Sequence, residues 1–256
     1  MSQESLPVSA RRSVPRLARE KRQPAERLGV VVVDDLVESI VIGEVGPGDS
    51  LPPEGPLSLE FGVSRTVIRE SIKRVEEKGL VRVEQGRGTR VTPMSEWNIL
   101  DPVVLSAMVA HDDSLGILDE VVTVRSAMES EIAGRLALIV TDEQLERLRA
   151  CQQTMENNVE DIPAFRSADV KFHSLVMEFS GSRLGASIAR VLVREAMRSD
   201  RYHGHLGSSA HVPTLAEHAR IIEAISSHAP ADASRAMREH IEVAWARRRI
   251  PPVARP

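Results

Sequence analysis

The sequence predicts a mainly α protein, in which a small N-terminal α+β domain precedes an all-α antiparallel helical bundle. Two observations predict this. Between residues 62 and 91, a capped amphipathic helix is followed by two segments that alternate apolar and polar residues around a glycine-rich turn. Beyond residue 92 the apolar residues recur at helical spacing, and no alternating segment is found. A helix pair followed by a hairpin is the order of a winged helix-turn-helix.

The second helix of that motif can be predicted from its first residue onward. Ser64 has a side chain suited to an N-cap, and apolar residues follow at helical spacing on one side of the helix. That side comprises Val67, Ile68, Ile72 and Val75. The remaining surface carries Arg65, Thr66, Arg69, Lys73 and Arg74. Such a helix would bury one stripe and offer cations to phosphate groups.

The hairpin after this helix is expected to form the wing. Its strands are predicted over Leu80–Glu84 and Thr89–Val91, with Gln85–Gly88 as the turn. Glycines at 86 and 88 let the backbone approach a phosphate closely, and Arg87 at the tip could reach a minor groove.

Positive charge is concentrated in this part of the chain. Residues 62–91 contain eight Lys or Arg and four Glu, whereas the 256-residue chain has a net charge of −4. A basic head on an acidic body favours nucleic acid as a partner. The alternative is an ordinary surface helix and hairpin, but the order of the elements favours the DNA-binding interpretation.

Composition excludes several classes of protein. The hydrophobic fraction of 42% is ample for a packed core, and the single cysteine, Cys151, excludes an internal disulfide. No apolar run approaches the roughly 18–20 residues of a membrane span. We therefore expect a soluble cytoplasmic protein with no membrane partner.

The chain divides into five segments. They are a disordered, cation-rich tail (1–27), the winged domain (28–92), a linker with a connecting helix (93–113), the helical domain (114–249) and a short tail (250–256). In the winged domain, the first helix is expected at 28–42. Pro56 is tolerated only in a first turn, so the second should begin between Glu54 and Pro56 and end at Phe61-Gly62.

The helical domain is predicted from periodicity and from capping residues. Helices are expected near 101–111, 115–139, 142–158, 162–180, 183–203, 214–228 and 231–248. Thr141 with Gln144 forms a capping-box pattern, Asp161 is a cap, and Gly181 and Pro230 mark further borders.

Several motifs together resemble one known family. Pro47-Gly48-Asp49, Leu51-Pro52, Gly62-Val63-Ser64-Arg65-Thr66, Arg69-Glu70, Gly79-Leu80 and Gly86-Arg87-Gly88-Thr89 are similar to the winged helix of GntR-family transcription regulators. The helical remainder is similar to the ligand-sensing FCD domain of the FadR subfamily.

This resemblance implies which residues contact DNA. Ser64, Arg65, Thr66 and Arg69 would do so from the recognition helix, and Gln85, Gly86 and Arg87 from the wing, with Lys73 on the same basic surface. The chain departs from the family at Gly55, where an arginine is usual. A contact from that position is therefore not expected.

The resemblance also implies a metal site formed by Asp169, His173, His218 and His240. One carboxylate and three imidazoles suit Zn²⁺, Ni²⁺ or Mn²⁺. On spacing alone, Asp169 and His173 would be an ordinary helix pair and His218 a surface histidine. His203, His205 and His211, in a polar connection, are interpreted as exposed or as pocket rim rather than as ligands.

Arg125 is the candidate contact for an anionic effector. It has apolar neighbours and needs an anion or Glu129 as its partner, and the resemblance places an effector-binding arginine here. The alternative is a simple Arg125–Glu129 helix pair. The segment 97–102 resembles that of sugar-acid regulators, so a small organic acid is the expected effector, with sugar acids as the favoured class.

The sequence thus predicts a homodimeric, effector-responsive transcription regulator, most often a repressor, on palindromic double-stranded operator DNA. Helix 115–139 and the segment Val103–Met108 are the expected dimer interface. No catalytic residues are identified, so an enzyme is not expected. The alternative is a metal-dependent hydrolase fused to a DNA-binding domain, because three histidines and an aspartate could hold an activated water.

Overall fold

The structure is a computed structural model that describes residues 24–199, 202 and 211–249. Ten α-helices, one short 3-10 helix and one two-stranded antiparallel sheet make up the described elements. The predicted fold class, a winged helix-turn-helix followed by an all-α bundle, is confirmed. In the winged domain, the elements are α1 (Pro24–Val41), α2 (Glu54–Glu60), α3 (Arg65–Glu77), β1 (Val81–Glu84) and β2 (Gly88–Val91).

The helix-turn-helix forms largely as its residues predict. Pro56 lies in the first turn of the short helix α2. The Ser64 hydroxyl accepts a hydrogen bond from the Val67 amide at 3.4 Å and caps α3. On the inner side of α3, Ile68 and Val75 are fully buried against α1.

The wing is a hairpin with Val81 opposite Val91 and Glu84 opposite Gly88. At the turn, the Arg87 amide donates to the Glu84 carbonyl at 3.0 Å. A further backbone segment pairs with β2, since Ser50 forms a bridge with Arg90. The sequence was interpreted only as a turn at 46–49, and this extra pairing fixes the wing to the region before α2.

One segment boundary differs from expectation. Helix α1 begins at Pro24, inside the segment assigned to the tail, because a proline is favourable in a first helical turn. Residues 1–23 and 250–256, to which the tail predictions apply, lie outside the described residues.

The predicted linker packs closely on the winged domain. A 3-10 turn covers Met94–Glu96, and the buried Trp97 indole donates to the Thr92 carbonyl at 3.1 Å. Gly79 has a φ of +81°, and a Cβ placed there would lie 2.2 Å from the Glu96 carbonyl oxygen. Only glycine therefore permits this approach.

Helix α4 (Pro102–His111) belongs to both hydrophobic cores. Val104 and Met108 pack in the core of the winged domain, while Leu105 and Val109 pack in that of the helical domain. Part of the expected dimer interface is therefore wrong: Val104, Leu105 and Met108 are already buried within one chain.

The helical domain contains six further helices: α5 (Gly116–Ile139), α6 (Asp142–Asn157), α7 (Ile162–Phe179), α8 (Arg183–Arg198), α9 (His211–Ser226) and α10 (Pro230–Arg248). The Thr141–Gln144 capping box and the Asp161 cap are both present. Helix α8 ends before the predicted residue 203, and α9 is already formed at His211, with Pro213 in its first described turn.

Helix α5 is the central element of this domain and packs on α7, α8, α9 and α10. Its closest approach is to α10, where a Cβ on Gly134 would lie 2.4 Å from the Ser234 hydroxyl. The start of α5 is also tied to the end of α10, because Asp119 accepts hydrogen bonds from Trp245 and Arg249. Among the described helices, none is both long and apolar enough to cross a membrane.

Candidate metal centre and DNA-binding surface

Three helices bring four potential metal ligands together in the helical domain. Asp169 and His173 lie one turn apart on α7, His218 lies on α9 and His240 on α10. All four side chains are buried, and one ligand atom from each lies within 4.8 Å of the others. We call these residues the four-residue cluster.

The hydrogen bonds of the histidines fix which ring nitrogens face the cluster centre. His173 Nδ1 lies 2.5 Å from Glu129 Oε2, and His240 Nδ1 lies 2.9 Å from Glu217 Oε2. A carboxylate can only accept, so both Nδ1 atoms carry the proton and both Nε2 atoms present lone pairs. Sequence analysis did not identify Glu129 or Glu217 in this role.

These lone pairs converge at short distances. His240 Nε2 lies 3.2 Å from both His173 Nε2 and His218 Nε2, and Asp169 Oδ1 lies 3.2 Å from His218 Nε2. Two acceptor nitrogens cannot bond to each other, so the facing lone pairs of His173 and His240 repel at this distance. A cation between them would turn that repulsion into attraction.

The aspartate of the cluster also fits a cation. Asp169 Oδ1 is buried and accepts no hydrogen bond of good geometry from any described group, although His218 Nε2 is close. Burial would raise the pKa of Asp169, but His218, His173 and Arg248 outweigh it and hold that pKa below its usual range. The group is therefore a carboxylate with a free lone pair, as a metal ligand must be.

Burial keeps two imidazoles of the cluster, those of His218 and His240, neutral. Desolvation lowers the pKa of His240 to about 3 and also lowers the pKa of His218. Neutral imidazole is the form that binds metal ions.

The two supporting carboxylates remain charged because each is paired with an arginine. Burial would raise the pKa of Glu129, but Arg125 and His173, which both bond to this carboxylate, lower it to about 2. Burial would also raise the pKa of Glu217, but hydrogen bonds from His240 and Arg247 lower it to about 2. Each carboxylate thus connects a histidine of the cluster to a guanidinium.

The donor set and its spacing suit a divalent ion of borderline softness. Atoms that share such an ion at about 2.1 Å lie roughly 3–3.5 Å apart, which agrees with the shorter separations here. Three imidazole nitrogens and one carboxylate oxygen suit Zn²⁺, Ni²⁺ or Mn²⁺ and leave positions open on an octahedral ion. The buried cluster could therefore hold a metal.

Arg125 is connected to this cluster. It is buried on α5, its Nε donates to Glu129 Oε1 at 2.8 Å, and its Nη1 donates to the Tyr202 hydroxyl at 2.8 Å. Burial acts against the charged form, but Glu129 outweighs it and raises the pKa of Arg125. The helix pair that was the alternative interpretation is present, and its carboxylate is also the one that supports His173.

The other histidines lie apart from the cluster. His211 is buried rather than exposed: its ring stacks on Phe165 with centroids 3.8 Å apart, and its Nδ1 lies 2.6 Å from the Val159 carbonyl. It is not among the four clustered ligands. His203 and His205 lie outside the described residues.

The predicted DNA contacts form one exposed surface on the winged domain. Ser64, Arg65, Thr66, Arg69 and Lys73 on α3 and Gln85, Gly86 and Arg87 on the wing are all exposed. We call these eight residues the DNA-facing set. Their exposure agrees with the predicted role but does not test it.

Residues of α2 lie beside two arginines of this surface. Glu54 accepts two hydrogen bonds from Arg69, both at 2.9 Å, and the bond from Arg69 lowers the pKa of Glu54. A Cβ on Gly55 would lie 3.6 Å from Arg65 Nη2. Gly55, where the family usually has an arginine, therefore lies beside Arg65, the first arginine of the recognition helix.

Two features together define the class of two-domain bacterial transcription regulators. One is a winged domain with an exposed basic helix, and the other is an attached helical domain with a buried ligand cluster. Comparison with known families agrees. Residues 28–91 match the family described as bacterial regulatory proteins, gntR family, and residues 120–243 match the FCD domain. The chain belongs to the GntR family, with an FCD domain and a FadR-like organisation.

The relatives in this family are regulators. The chain is 30% identical over 204 residues to the galactonate operon transcriptional repressor of Escherichia coli K12, covering 79% of this chain and 88% of the relative. It is 28% identical over 237 residues to the transcriptional repressor NanR of E. coli K12, covering 90% and 87%.

A solved structure confirms the fold. The structure concerns Lar, which controls expression of the Listeria monocytogenes agr system, and it matches 89% of this chain and 97% of that one with a TM-score of 0.57 and 18% identity. The protein is thus a DNA-binding transcription regulator and not an enzyme, and the hydrolase alternative is not supported.

Proposed function

We propose that this protein is a homodimeric repressor that releases palindromic operator DNA when a small organic acid binds beside a metal ion in its helical domain. The observation that carries the proposal is the convergence of four buried ligand atoms beside Arg125, within a domain joined to a DNA-binding head. Operator recognition is assigned to the DNA-facing set.

The DNA side of the proposal follows from charge and exposure. Arg65 and Arg69 can form bidentate bonds to guanine or phosphate, and the small hydroxyls of Ser64 and Thr66 can hold the backbone in register. One winged domain offers few contacts. A two-fold dimer would place two α3 helices in successive major grooves, which multiplies specificity.

Helix α5 supplies the proposed dimer interface. Val124, Leu138 and Ile139 on this helix are 44%, 65% and 53% exposed within one chain. Apolar side chains of this size are favourable to bury against a second copy. The buried residues of α4 take no part in it.

The sensing side of the proposal combines the four-residue cluster with Arg125. A divalent ion held by Asp169, His173, His218 and His240 would supply positive charge and open coordination positions for a carboxylate and a hydroxyl. Arg125 would pair with the same carboxylate. Because Glu129 and Tyr202 already bond to Arg125, the acid must share or displace these contacts.

Such a displacement can reach the winged domain through continuous packing. Arg125 lies on α5, whose N-terminus is fastened to α10 and is preceded by α4, and α4 packs in both cores. A shift of α5 relative to α10 would therefore change the position of α4 and, through α1, the position of α3. Couplings of this kind are typically worth about 1–3 kcal/mol.

A sugar acid is the effector class we favour. The relative at 30% identity is named for a galactonate operon, and the candidate site combines charged, hydrogen-bonding and metal-binding groups rather than a long apolar channel. Hydroxyl-rich acids suit such a site better than acyl chains.

DNA binding can be tested with operator sequences selected from random duplexes by the purified protein. In a mobility-shift assay, Arg65→Ala should abolish operator binding, because it removes a base or phosphate contact. Arg149→Ala, at an exposed position on α6, removes the same charge away from the DNA-facing set and should bind normally. Normal operator binding by Arg65→Ala would contradict the assignment.

The sensing site can be tested by metal content and effector response together. The double variant His173→Ala, His218→Ala should lose stoichiometric metal and the release of operator DNA by acids, yet keep operator binding. A double variant that retains metal and a full effector response would eliminate the site. Thermal-shift screening of organic acids, with and without chelator, identifies the effector to use.

A further inference from the structure

A second buried arginine lies in the helical domain, close to the candidate metal centre. Arg248, in the last turn of α10, is only 8% exposed. Within the part of the chain that the structure describes, its guanidinium has no hydrogen bond or ion pair to a protein group. The guanidinium lies over the Tyr202 ring, whose centroid is 5.4 Å from the guanidinium carbon.

A buried guanidinium without a carboxylate partner is costly. Arginine is rarely buried unless it is paired, because desolvation of a charge is repaid only by opposite charge and hydrogen bonds. The stacking on Tyr202 repays part of that cost. Its neighbours Arg247 and Arg249 both have carboxylate partners, Glu217 and Asp119, so Arg248 differs from the residues on either side.

Arg248 lies beside the residues proposed to bind the effector. The Tyr202 ring that it contacts also lies 5.7 Å from the guanidinium carbon of Arg125, and the Tyr202 hydroxyl accepts from Arg125. Its charge is also felt by Asp169. The two arginines therefore share contact with Tyr202, and Arg248 is near enough to the four-residue cluster to lower the pKa of Asp169.

The balance of charge in this region indicates the charge of the ligand. The described groups that form the cluster, support it or contact Tyr202 include three carboxylates, those of Glu129, Asp169 and Glu217, and three guanidinium groups, those of Arg125, Arg247 and Arg248. These charges cancel. A divalent ion in the cluster would leave two positive charges uncompensated, and a monocarboxylate would neutralise only one of them.

We propose that Arg248 is a second anion-binding residue and that the effector is a dianion, with a second carboxylate or a phosphate group on Arg248. This inference rests on the proposed function, since it takes the first carboxylate to bind at the metal and Arg125. It narrows the effector from small organic acids in general to dicarboxylic or phosphorylated acids.

The test compares acids that differ only in the second anionic group. Galactonate and galactarate are one such pair, and gluconate and 6-phosphogluconate are another. Calorimetric titration of the Zn²⁺-loaded protein should show tighter binding of the dianion in at least one pair, by about tenfold or more, since hydrogen bonds to a charged group are strong. The pair that responds distinguishes carboxylate from phosphate.

Arg248 is then tested by substitution. Arg248→Gln should remove the preference for the dianion while leaving the affinity for the monoanion within about threefold, because the metal and Arg125 are unchanged. Arg248→Lys keeps the charge and should keep part of the preference. Arg235→Gln, an exposed position on the same helix, should have no effect. Circular dichroism and zinc content establish that each variant is folded and loaded.

The outcomes separate this inference from the proposed function. If the wild-type protein binds monoanions as tightly as dianions, or if Arg248→Gln weakens both members of a pair equally, the second anchor is wrong while acid sensing stands. If none of the four acids binds to the zinc-loaded protein, the inference and the sugar-acid assignment are both overturned.

Discussion

Glu129 and Glu217 each hydrogen-bond to a histidine of the candidate metal centre. Each carboxylate bonds to the Nδ1 atom of a histidine on one side and to a buried or half-buried arginine on the other. The arginines keep the carboxylates charged, and the carboxylates orient the imidazoles. The third histidine differs, since His218 Nδ1 is buried with no hydrogen-bond partner among the described groups.

The first prediction concerns Glu217. We expect Glu217→Gln to lower metal affinity by about tenfold or more, because His240 loses the charged acceptor that orients its ring. Competition with a chromogenic chelator measures that affinity directly. Glu223→Gln, at an exposed position on the same helix, is the matched control and should bind metal normally. Equal metal affinities for the two variants would show that the carboxylate does not support the site.

The candidate ligands are assigned through the resemblance to the FCD domain, since spacing alone favours an ordinary helix pair for Asp169 and His173. Asp169 and His173 are four residues apart on one helix, so their shared face is a local property. By contrast, Glu129 lies 44 residues from His173, and Arg125 lies 77 residues from Tyr202. Contacts of this length depend on how the helices pack, which spacing along the chain does not specify.

The second prediction concerns the exposed pair between Glu54 and Arg69. We expect Glu54→Gln to strengthen binding to non-operator DNA and to reduce the preference for operator, because it removes a negative charge and releases Arg69 for any phosphate. One more phosphate contact steepens the salt dependence of log K by about 0.9.

Fluorescence anisotropy with operator and scrambled duplexes at several salt concentrations measures both effects. Glu60→Gln removes the same charge from α2 without touching the Arg69 pair, so it should leave the operator preference unchanged. If Glu54→Gln and Glu60→Gln behave alike, general electrostatics alone explains the change and the positioning of Arg69 has no role.

At the level of elements, the wing, α3 and the segment after them form one unit. The Trp97 indole bonds to Thr92, and Lys78 Nζ lies 2.6 Å from Asp101 Oδ2. This segment was predicted to be a linker because it is rich in turn-forming residues. Turn composition indicates where helices end, but it does not show whether a connection packs against its neighbours.

The third prediction tests this packing at Gly79. Gly79→Ala should reduce the free energy of unfolding by more than Gly43→Ala does. Both glycines have positive φ, which costs other residues about 1–2 kcal/mol, but only at Gly79 would the new Cβ meet a backbone oxygen. Urea denaturation of the full chain compares them. Equal losses would show that the connection moves away from α3 without cost.

Local patterns predicted helix starts better than helix ends and extra pairings. The Thr141–Gln144 box and the Ser64 and Asp161 caps lie where the residues indicate, since capping is a local hydrogen bond. The sequence does not predict the pairing of Ser50 with Arg90, because it joins backbones 40 residues apart. The alternation of apolar and polar residues in either segment does not indicate it.

In the whole molecule, α4 connects the two domains. Apolar residues surround this helix, a pattern that predicts burial on every side. The pattern does not specify what covers each side of the helix. The sequence interpretation expects a dimer partner to cover Val103–Met108. Instead, Val104 and Met108 belong to one core of the same chain, and Leu105 and Val109 to the other. The helix therefore packs on both domains and joins the proposed sensor to the winged domain.

Removal of the metal provides the last prediction. Any ion that binds only the folded chain stabilises it, by about 2.7 kcal/mol when free metal is 100 times the dissociation constant. For a protein of this size we expect chelation to lower the thermal midpoint by roughly 5–10 °C. Chelation should lower the stability of the helical domain in particular, because the four-residue cluster joins α7, α9 and α10.

Scanning calorimetry with and without chelator, followed by addition of Zn²⁺, Ni²⁺ or Mn²⁺ to the stripped protein, measures this stabilisation and ranks the ions. The double variant His173→Ala, His218→Ala should show no response to chelator. His111→Ala, which removes a histidine paired with Glu38 between α1 and α4, should respond as the wild type does. If chelation leaves the wild-type midpoint unchanged, the facing lone pairs of His173 and His240 must be satisfied without an ion, and the sensing mechanism would lose its metal.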